Sequence, residues 1–167
     1  MSSFDRRALL LTAVGAIAPI ALSGCFRPML AEGETSAGLR GRIAMPEVEG
    51  RFGYFLGRSL EDRLGETKEA DWVLSVTPTI TRSGLAVASD NSVTRFTLSA
   101  VANWSLRSSR TGAVVLNDQA VSQSGYNATT SLFATRQTEQ DIERRLARDI
   151  GERIARRIYA QAGKLDG

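Results

Sequence analysis

The clearest structural signal in the chain is the stretch Val93–Arg107, which reads VTRFTLSAVANWSLR. Apolar side chains occupy every second position from Phe96 to Leu106, and polar side chains fill most positions between them. Because the side chains of a strand point alternately to the two faces of a sheet, this pattern predicts a β-strand with one buried face. Only Val101 departs from the alternation.

Two further strands are predicted around this one. Ala70–Arg82 reads ADWVLSVTPTITR and alternates in the same way, while Ala113–Tyr126 follows a short turn at Ser108–Gly112. The three segments predict two successive antiparallel hairpins with one apolar face. Pro78 has no N–H for a ladder hydrogen bond, so it predicts an edge strand or a bulge.

A strand and a helix are predicted before the hairpins. Leu39–Met45 alternates briefly and is ended by Pro46, which indicates a short strand. Arg51–Leu64 places its large apolar side chains on one helical stripe, and Gly65 follows as a C-cap. Two glycines four residues apart weaken this helix, so close backbone approach to a neighbour is expected at both; they are Gly53 and Gly57.

The C-terminal segment Ser131–Ala162 predicts a long amphipathic helix. Isoleucine or leucine recurs every four residues from Ile142 to Ile158. Both Ser131 and Thr138 are suitable N-caps, so the sequence leaves the start of the helix open between them. The element order is therefore β-α-β-β-β-α.

This order predicts an α+β fold: a two-layer α/β sandwich in which two helices cover one face of a four-stranded mixed sheet. The uncovered face is rich in Ser, Thr, Asn and Gln. We expect that face, or a sheet edge, to be open to another protein or to an amphiphile.

The N-terminal residues have the features of an export signal. Arg6 and Arg7 precede an apolar run at Ala8–Ala21, which is shorter than the roughly 20 residues that span a bilayer. Leu22-Ser23-Gly24-Cys25 then resembles a bacterial lipobox, in which cleavage precedes a cysteine that is acylated with chains such as palmitate. The alternative is an ordinary secretory signal followed by an incidental cysteine.

The lipobox divides the chain into three predicted regions: a lipoprotein signal peptide at 1–24, a lipidated tether at 25–38 and a single α/β domain at 39–167. Several acyl chains on one residue anchor a protein durably. Phe26 stands where inner-membrane lipoproteins often have Asp, which favours a lipid anchor in the outer membrane.

Composition excludes several classes of protein. The 167 residues contain no histidine and one cysteine, which rules out a Ser-His-Asp triad, an intramolecular disulfide and a thiolate metal cage. A net charge of +3 is too small to indicate nucleic-acid binding. Enzymes that use only carboxylates, lysine or tyrosine stay open, but Gly-x-Ser-x-Gly is absent and the aspartates lie in no catalytic motif. We therefore expect no enzyme activity, metal or cofactor.

The chain resembles the LptE family of lipopolysaccharide (LPS) assembly lipoproteins in four features. They are the lipobox, the Cys25-Phe26-Arg27-Pro28 run that begins at its cysteine, the element order, and a strand that ends at Tyr126 before an Arg/Ala-rich helix. The resemblance implies a non-catalytic outer-membrane lipoprotein. It would plug the lumen of an LptD-like β-barrel, help that barrel to assemble, and assist insertion of LPS into the outer leaflet.

Lipid A carries phosphates, which arginine binds well because its guanidinium group pairs bidentately with them. Five arginines at strand ends, turns or the approach to the last helix are candidate LPS contacts: Arg82, Arg95, Arg107, Arg110 and Arg136. The alternative for each is a solubilising charge. The alternative function is a periplasmic lipoprotein auxiliary to another ABC-type lipid transporter, which would require an apolar groove.

Overall fold

The computed structural model describes residues 38–45, 48–87 and 93–165. Three long antiparallel strands form most of one sheet: β2 (Trp72–Val87), β3 (Val93–Ser108) and β4 (Val114–Asn127). A two-residue strand, β1 (Ile43–Ala44), pairs in parallel with the start of β2. The strand order is β1-β2-β3-β4, so the sheet is mixed as predicted.

Two helices complete the fold. Helix α1 (Gly50–Leu64) connects β1 to β2, and α2 (Leu132–Ala160) follows β4 before a short 3-10 helix at Ala162–Lys164. Both helices and the sheet contribute buried apolar side chains to one continuous core. This arrangement confirms the predicted two-layer α+β fold. No helix in the described ranges is long and apolar enough to cross a membrane.

The alternation in β3 determines which face of the sheet is buried. Leu98, Ala100, Ala102, Trp104 and Leu106 are all at most 4% exposed, as predicted. From α2, the repeat that begins at Ile142 supplies the other side of the core. Burial of each large apolar side chain contributes about 1.5–3 kcal/mol, so both patterns contribute substantially to the stability of the fold.

The first strand is much shorter than predicted. Leu39–Gly41 forms a turn, in which the Arg42 N–H donates to the Leu39 carbonyl and the Gly41 N–H donates to the Leu64 carbonyl at the end of α1. Gly41 has φ +79°, which a strand does not accommodate. Only Ile43 and Ala44 therefore pair with β2.

The predicted features of α1 are partly confirmed. Gly65 caps the helix with φ +83°, and its N–H donates to the Glu61 carbonyl. A Cβ atom on Gly53 would clash with the Val48 carbonyl group, so close backbone approach is confirmed there. A Cβ atom on Gly57 would meet no neighbouring atom within 4 Å, so the same prediction is wrong for Gly57.

The start of α2 and the position of Pro78 are defined by their contacts. Ser131 is the N-cap, since its hydroxyl accepts a hydrogen bond from the Ala134 N–H. Thr138 lies inside the helix and donates to the Ala134 carbonyl.

Pro78 faces Ala102 on one side, and its other side has no strand neighbour among the described residues, because β1 reaches only Val73. The edge position predicted from Pro78 is confirmed.

Candidate functional site

The sheet face that the helices leave uncovered is polar and carries little charge. Thr77 and Thr79 on β2, Asn103 on β3 and Gln119 on β4 are exposed on it. The Gln119 amide donates a 3.0 Å hydrogen bond to the Asn103 side-chain oxygen across the two strands. This surface, which we call the polar face, has the Ser/Thr/Asn/Gln character that the sequence predicts.

The centre of the polar face also contains two valines. Val121 on β4 is 44% exposed and lies opposite the half-buried Val101 on β3. On the long strand β3, charged side chains occur on this face only at its two ends, at Arg95 and Arg107. A partner can therefore cover the centre of the face without removing a charge from water, which would cost more than covering polar or apolar groups.

The five candidate arginines lie at opposite ends of the sheet, so the structure does not bring them into one site. Arg82, Arg95 and Arg136 lie at the end where β2 leads to β3 and α2 begins, which we call the distal end. Arg107 and Arg110 lie at the β3–β4 turn, at the end that contains Gly38, which we call the proximal end.

Arg82 is engaged within the fold. Its Nε lies 3.9 Å from a carboxylate oxygen of Glu139 on α2, and its guanidinium carbon lies 3.9 Å from the centre of the Phe96 ring. Phe96 in turn stacks on Tyr126, with 5.5 Å between ring centres. These contacts join β2, β3, β4 and α2, so Arg82 has a structural role at the distal end.

Tyr126 is the most buried member of this distal cluster. Its hydroxyl has no hydrogen-bond partner among the described residues, and the side chain is 5% exposed. Burial is the main cause that raises the pKa of Tyr126, and the negative charge of Glu139 raises this pKa further. The positive charge of Arg82 acts in the opposite direction but does not outweigh them. The tyrosine is therefore neutral across the physiological pH range.

The remaining candidate arginines differ in how they are held. Arg107 donates a 2.7 Å hydrogen bond to the Gly112 carbonyl and stabilises the β3–β4 turn. Arg95, Arg110 and Arg136 are exposed and have no ion-pair partner in the part of the chain that the structure describes. Within the described residues, these three guanidinium groups are not neutralised by a carboxylate, so each can attract an anionic ligand.

Sequence reasoning did not identify an apolar pair at the distal end. Leu132 and Phe133 open α2 and are 75% and 73% exposed. They lie outside the four-residue apolar repeat of α2, and this departure is the signal that could have indicated their exposure. Arg136 follows one turn later, so the tip of α2 combines exposed apolar and basic side chains.

No grouping of three or more His, Cys, Asp or Glu side chains suited to a metal ion occurs among residues 38–45, 48–87 and 93–165. Cys25, the predicted lipidation site, lies outside the described residues.

The fold is that of several bacterial lipoproteins of known structure. A Caulobacter crescentus protein described as a candidate lipoprotein is 22% identical, with a TM-score of 0.63 over 77% of this chain and 96% of its own. Rare lipoprotein B from Shewanella oneidensis is 13% identical, with a TM-score of 0.60 over 75% of this chain and 97% of its own. A minor lipoprotein from Acinetobacter baumannii is 17% identical, with a TM-score of 0.55 over 71% of this chain and 89% of its own.

No curated protein matches the chain. Residues 39–158 match the LptE family, described as lipopolysaccharide-assembly. The chain therefore belongs to the LptE family of lipopolysaccharide-assembly proteins, as the sequence resemblance implied.

Proposed function

We propose that this protein is lipid-anchored through Cys25 on the periplasmic side of the outer membrane, where it plugs an LptD-like β-barrel. In that position it assists assembly of the barrel and insertion of LPS into the outer leaflet. It acts by binding, without a catalytic residue or cofactor. The predicted regions fit this role: a signal peptide at 1–24, a tether at 25–38 and the folded domain from residue 39.

The observation that carries the plug proposal is the polar face of the sheet. The lumen of a transmembrane barrel is polar, whereas its lipid-facing side is apolar. A face built from Thr77, Thr79, Asn103 and Gln119 can exchange hydrogen bonds with such a wall. Because its centre lacks charge, docking there does not require an ion to lose its water.

The distal end supports a role in LPS binding. Arg95 and Arg136 are exposed, have no ion-pair partner among the described residues, and suit the phosphates of lipid A. Leu132 and Phe133 offer exposed apolar surface next to Arg136, which suits acyl chains. Arg82 contributes indirectly in this proposal, because its contacts with Glu139 and Phe96 fix the start of α2.

Co-purification tests the plug proposal. The tagged lipoprotein is extracted from membranes in mild detergent and captured, and its partners are identified by mass spectrometry. We expect one large outer-membrane β-barrel in near-equal amount. Thr79→Arg places a charge on the polar face, opposite Val101 at its centre, and should reduce recovery of the barrel at least fivefold. Gln137→Arg adds the same charge on α2, away from that face, and should leave recovery unchanged.

Two results would contradict the proposal. Recovery of inner-membrane transporter subunits without a barrel would favour the alternative, a lipoprotein auxiliary to another ABC-type lipid transporter. Equal recovery of the barrel with Thr79→Arg and with the parent chain would show that the polar face does not contact it.

A further inference from the structure

A cavity of about 610 Å³ opens at the proximal end of the domain, between the β3–β4 turn and the start of β2. Trp72, Val115 and Leu165 form apolar parts of its lining, and Arg42 and Arg110 supply cationic groups. This volume falls within the range of about 300–1,000 Å³ that is usual for small-ligand sites. The cavity is separate from the polar face and from the distal end.

The charges of the cavity favour an anion. Arg42 forms an ion pair with Asp71, so these two lining residues largely neutralise each other. Arg110 has no ion-pair partner among the described residues and leaves the lining with a net positive charge. A guanidinium group in this setting is suited to a phosphate or phosphodiester.

The turn that carries Arg110 is held firmly. The Gly112 N–H donates to the Ser108 carbonyl at 2.9 Å, and the Gly112 carbonyl accepts from Arg107 at 2.7 Å. The Ser109 N–H also donates to the Asp71 carbonyl at 2.8 Å, which ties the turn to the start of β2. The backbone around Arg110 is therefore preorganised, and a ligand does not have to order it on binding.

The position of the cavity indicates which anion it meets. Gly38 lies in the cavity lining, so the chain that leads back to Cys25 leaves at the rim. A random coil of thirteen residues has a root-mean-square span of about 20 Å, and the same number of residues fully extended spans about 45 Å. An acyl anchor on Cys25 would hold the cavity within that distance of lipid headgroups, where even weak affinity gives high occupancy.

We propose that this cavity binds the phosphodiester headgroup of an anionic phospholipid in the leaflet that holds the acylated Cys25. Arg110 pairs with the phosphate, and Trp72 packs against the glycerol and the first acyl carbons, in the way that tryptophan commonly occupies membrane interfaces. Binding turns the proximal end toward the membrane and leaves the polar face and distal end free. The location argument depends on the lipidation proposed above, but the affinity for headgroups does not.

The test uses the chain from residue 25 onward with Cys25→Ser, so that no acyl group contributes to binding. Co-sedimentation is measured with vesicles of phosphatidylcholine alone and with vesicles that contain about 30% phosphatidylglycerol. We expect the anionic vesicles to bind the chain at least tenfold more tightly. Tryptophan emission should shift on binding, and Trp72→Phe should abolish the shift, because Trp104 is 4% exposed in the core.

Arg110→Glu should weaken binding to the anionic vesicles about 25-fold, because the substitution changes the charge by two units and each unit near such a surface contributes about a fivefold effect. Arg145→Glu changes the net charge by the same amount as Arg110→Glu, but Arg145 lies on the exposed side of α2. This control should alter binding less than twofold. The unfolding midpoints of both variants are compared with the midpoint of the parent chain. Equal midpoints within experimental error show that the variants are folded, so a change in binding is due to the altered charge.

Four results would overturn the proposal. The first two are equal affinity for the two vesicle types and equal weakening by Arg110→Glu and Arg145→Glu. A third is tighter binding to lipid A vesicles of the same charge density, which would make the cavity an LPS site. A fourth is a shift in Trp72 emission on deletion of residues 26–37 without lipid, which would make the chain's own tether the occupant. Failure of lipidation itself would be seen separately, as absence of fatty-acid labelling at Cys25.

Discussion

The buried hydroxyl of Ser122 on β4 donates a 2.6 Å hydrogen bond to Oδ2 of Asp149 on α2. The same carboxylate oxygen accepts a 3.0 Å hydrogen bond from Arg153. One turn further along α2, a second polar link joins Arg157 to Asp118 of β4 at 2.8 Å. These directional bonds add to the apolar packing in fixing the position of α2 on the sheet.

The link between Ser122 and Asp149 should make stability depend on acid pH. Burial alone would raise the pKa of Asp149, but the hydrogen bond from Ser122 and the charge of Arg153 outweigh it and lower that pKa. A lowered folded-state pKa stabilises the protein above the unfolded value of about 3.9, and this stabilisation is lost as pH falls through the folded pKa. We expect the urea midpoint to fall between about pH 5 and pH 3, and to fall less in Asp149→Asn.

The control for that experiment is Asp141→Asn, because Asp141 is more exposed on α2 and pairs only with Arg144 in the same helix among the described residues. This variant should keep the full drop of the parent chain. A drop of the same size in Asp149→Asn would show that the link to Ser122 does not contribute to acid unfolding.

The two helices approach each other closely at Gly151. A Cβ atom there would lie 2.7 Å from the Ser59 hydroxyl oxygen and 2.8 Å from the Ser59 Cβ, and Ser59 is itself held by a 2.9 Å hydrogen bond to the Arg148 carbonyl. Gly151→Ala should therefore destabilise the protein by about 1–3 kcal/mol. Gly57→Ala meets no atom within 4 Å and should stabilise it by about 0.5–1 kcal/mol. Equilibrium urea unfolding distinguishes the two, and equal effects would contradict the packing argument.

The elements that sequence predicted well are those whose signal is local and repeated. The alternation around Trp104 and the four-residue repeat from Ile142 each occupy many positions, so tertiary contacts had little scope to override them. The length of strand β1 was overestimated because a hydrogen bond to a residue distant in sequence determines where the strand begins. The Gly41 N–H donates this hydrogen bond to the Leu64 carbonyl at the end of α1. No pattern within Leu39–Met45 encodes that contact.

The candidate site was predicted less completely for the same reason. The sequence places Arg82 near a strand end, but its role depends on Glu139 and Phe96, which lie on other elements. Likewise, the polar character of the uncovered face follows from alternation in each strand. The separation of the arginines into two ends depends on how the strands are paired.

Arg82 should affect stability where the exposed Arg95 does not. A cation–π contact contributes about 0.5–1 kcal/mol, and an exposed ion pair contributes about 0–1 kcal/mol. Arg82→Ala should therefore lower the free energy of unfolding by about 1 kcal/mol, and Arg95→Ala should change it by less than about 0.5 kcal/mol. Urea unfolding at pH 7 measures both. Loss of LPS binding in Arg82→Ala at unchanged stability would contradict the structural role assigned to it.

The exposed apolar pair at the tip of α2 should affect LPS binding without affecting stability. Phe133 is 73% exposed, so Phe133→Ser removes little core packing and should leave the urea midpoint unchanged. We expect the same variant to weaken binding of purified LPS several-fold in a fluorescence titration. Val114→Ser, at a 48% exposed apolar site on the proximal end, is the matched control and should bind normally. Equal binding by both variants would exclude the tip as an acyl contact.

Lipidation at Cys25 is tested in cells with a fatty-acid analogue that can be detected after gel separation. Cys25 is the only cysteine of the chain, so Cys25→Ala removes the only thiol that can receive diacylglycerol. The parent protein should incorporate label and run as the processed form, while Cys25→Ala should carry no label and keep residues 1–24. Ser3→Ala, within the segment expected to be removed, should be labelled and processed normally. Labelling of Cys25→Ala at the parental level would show that the lipobox is not the site of modification, whatever the fate of the N-terminal segment.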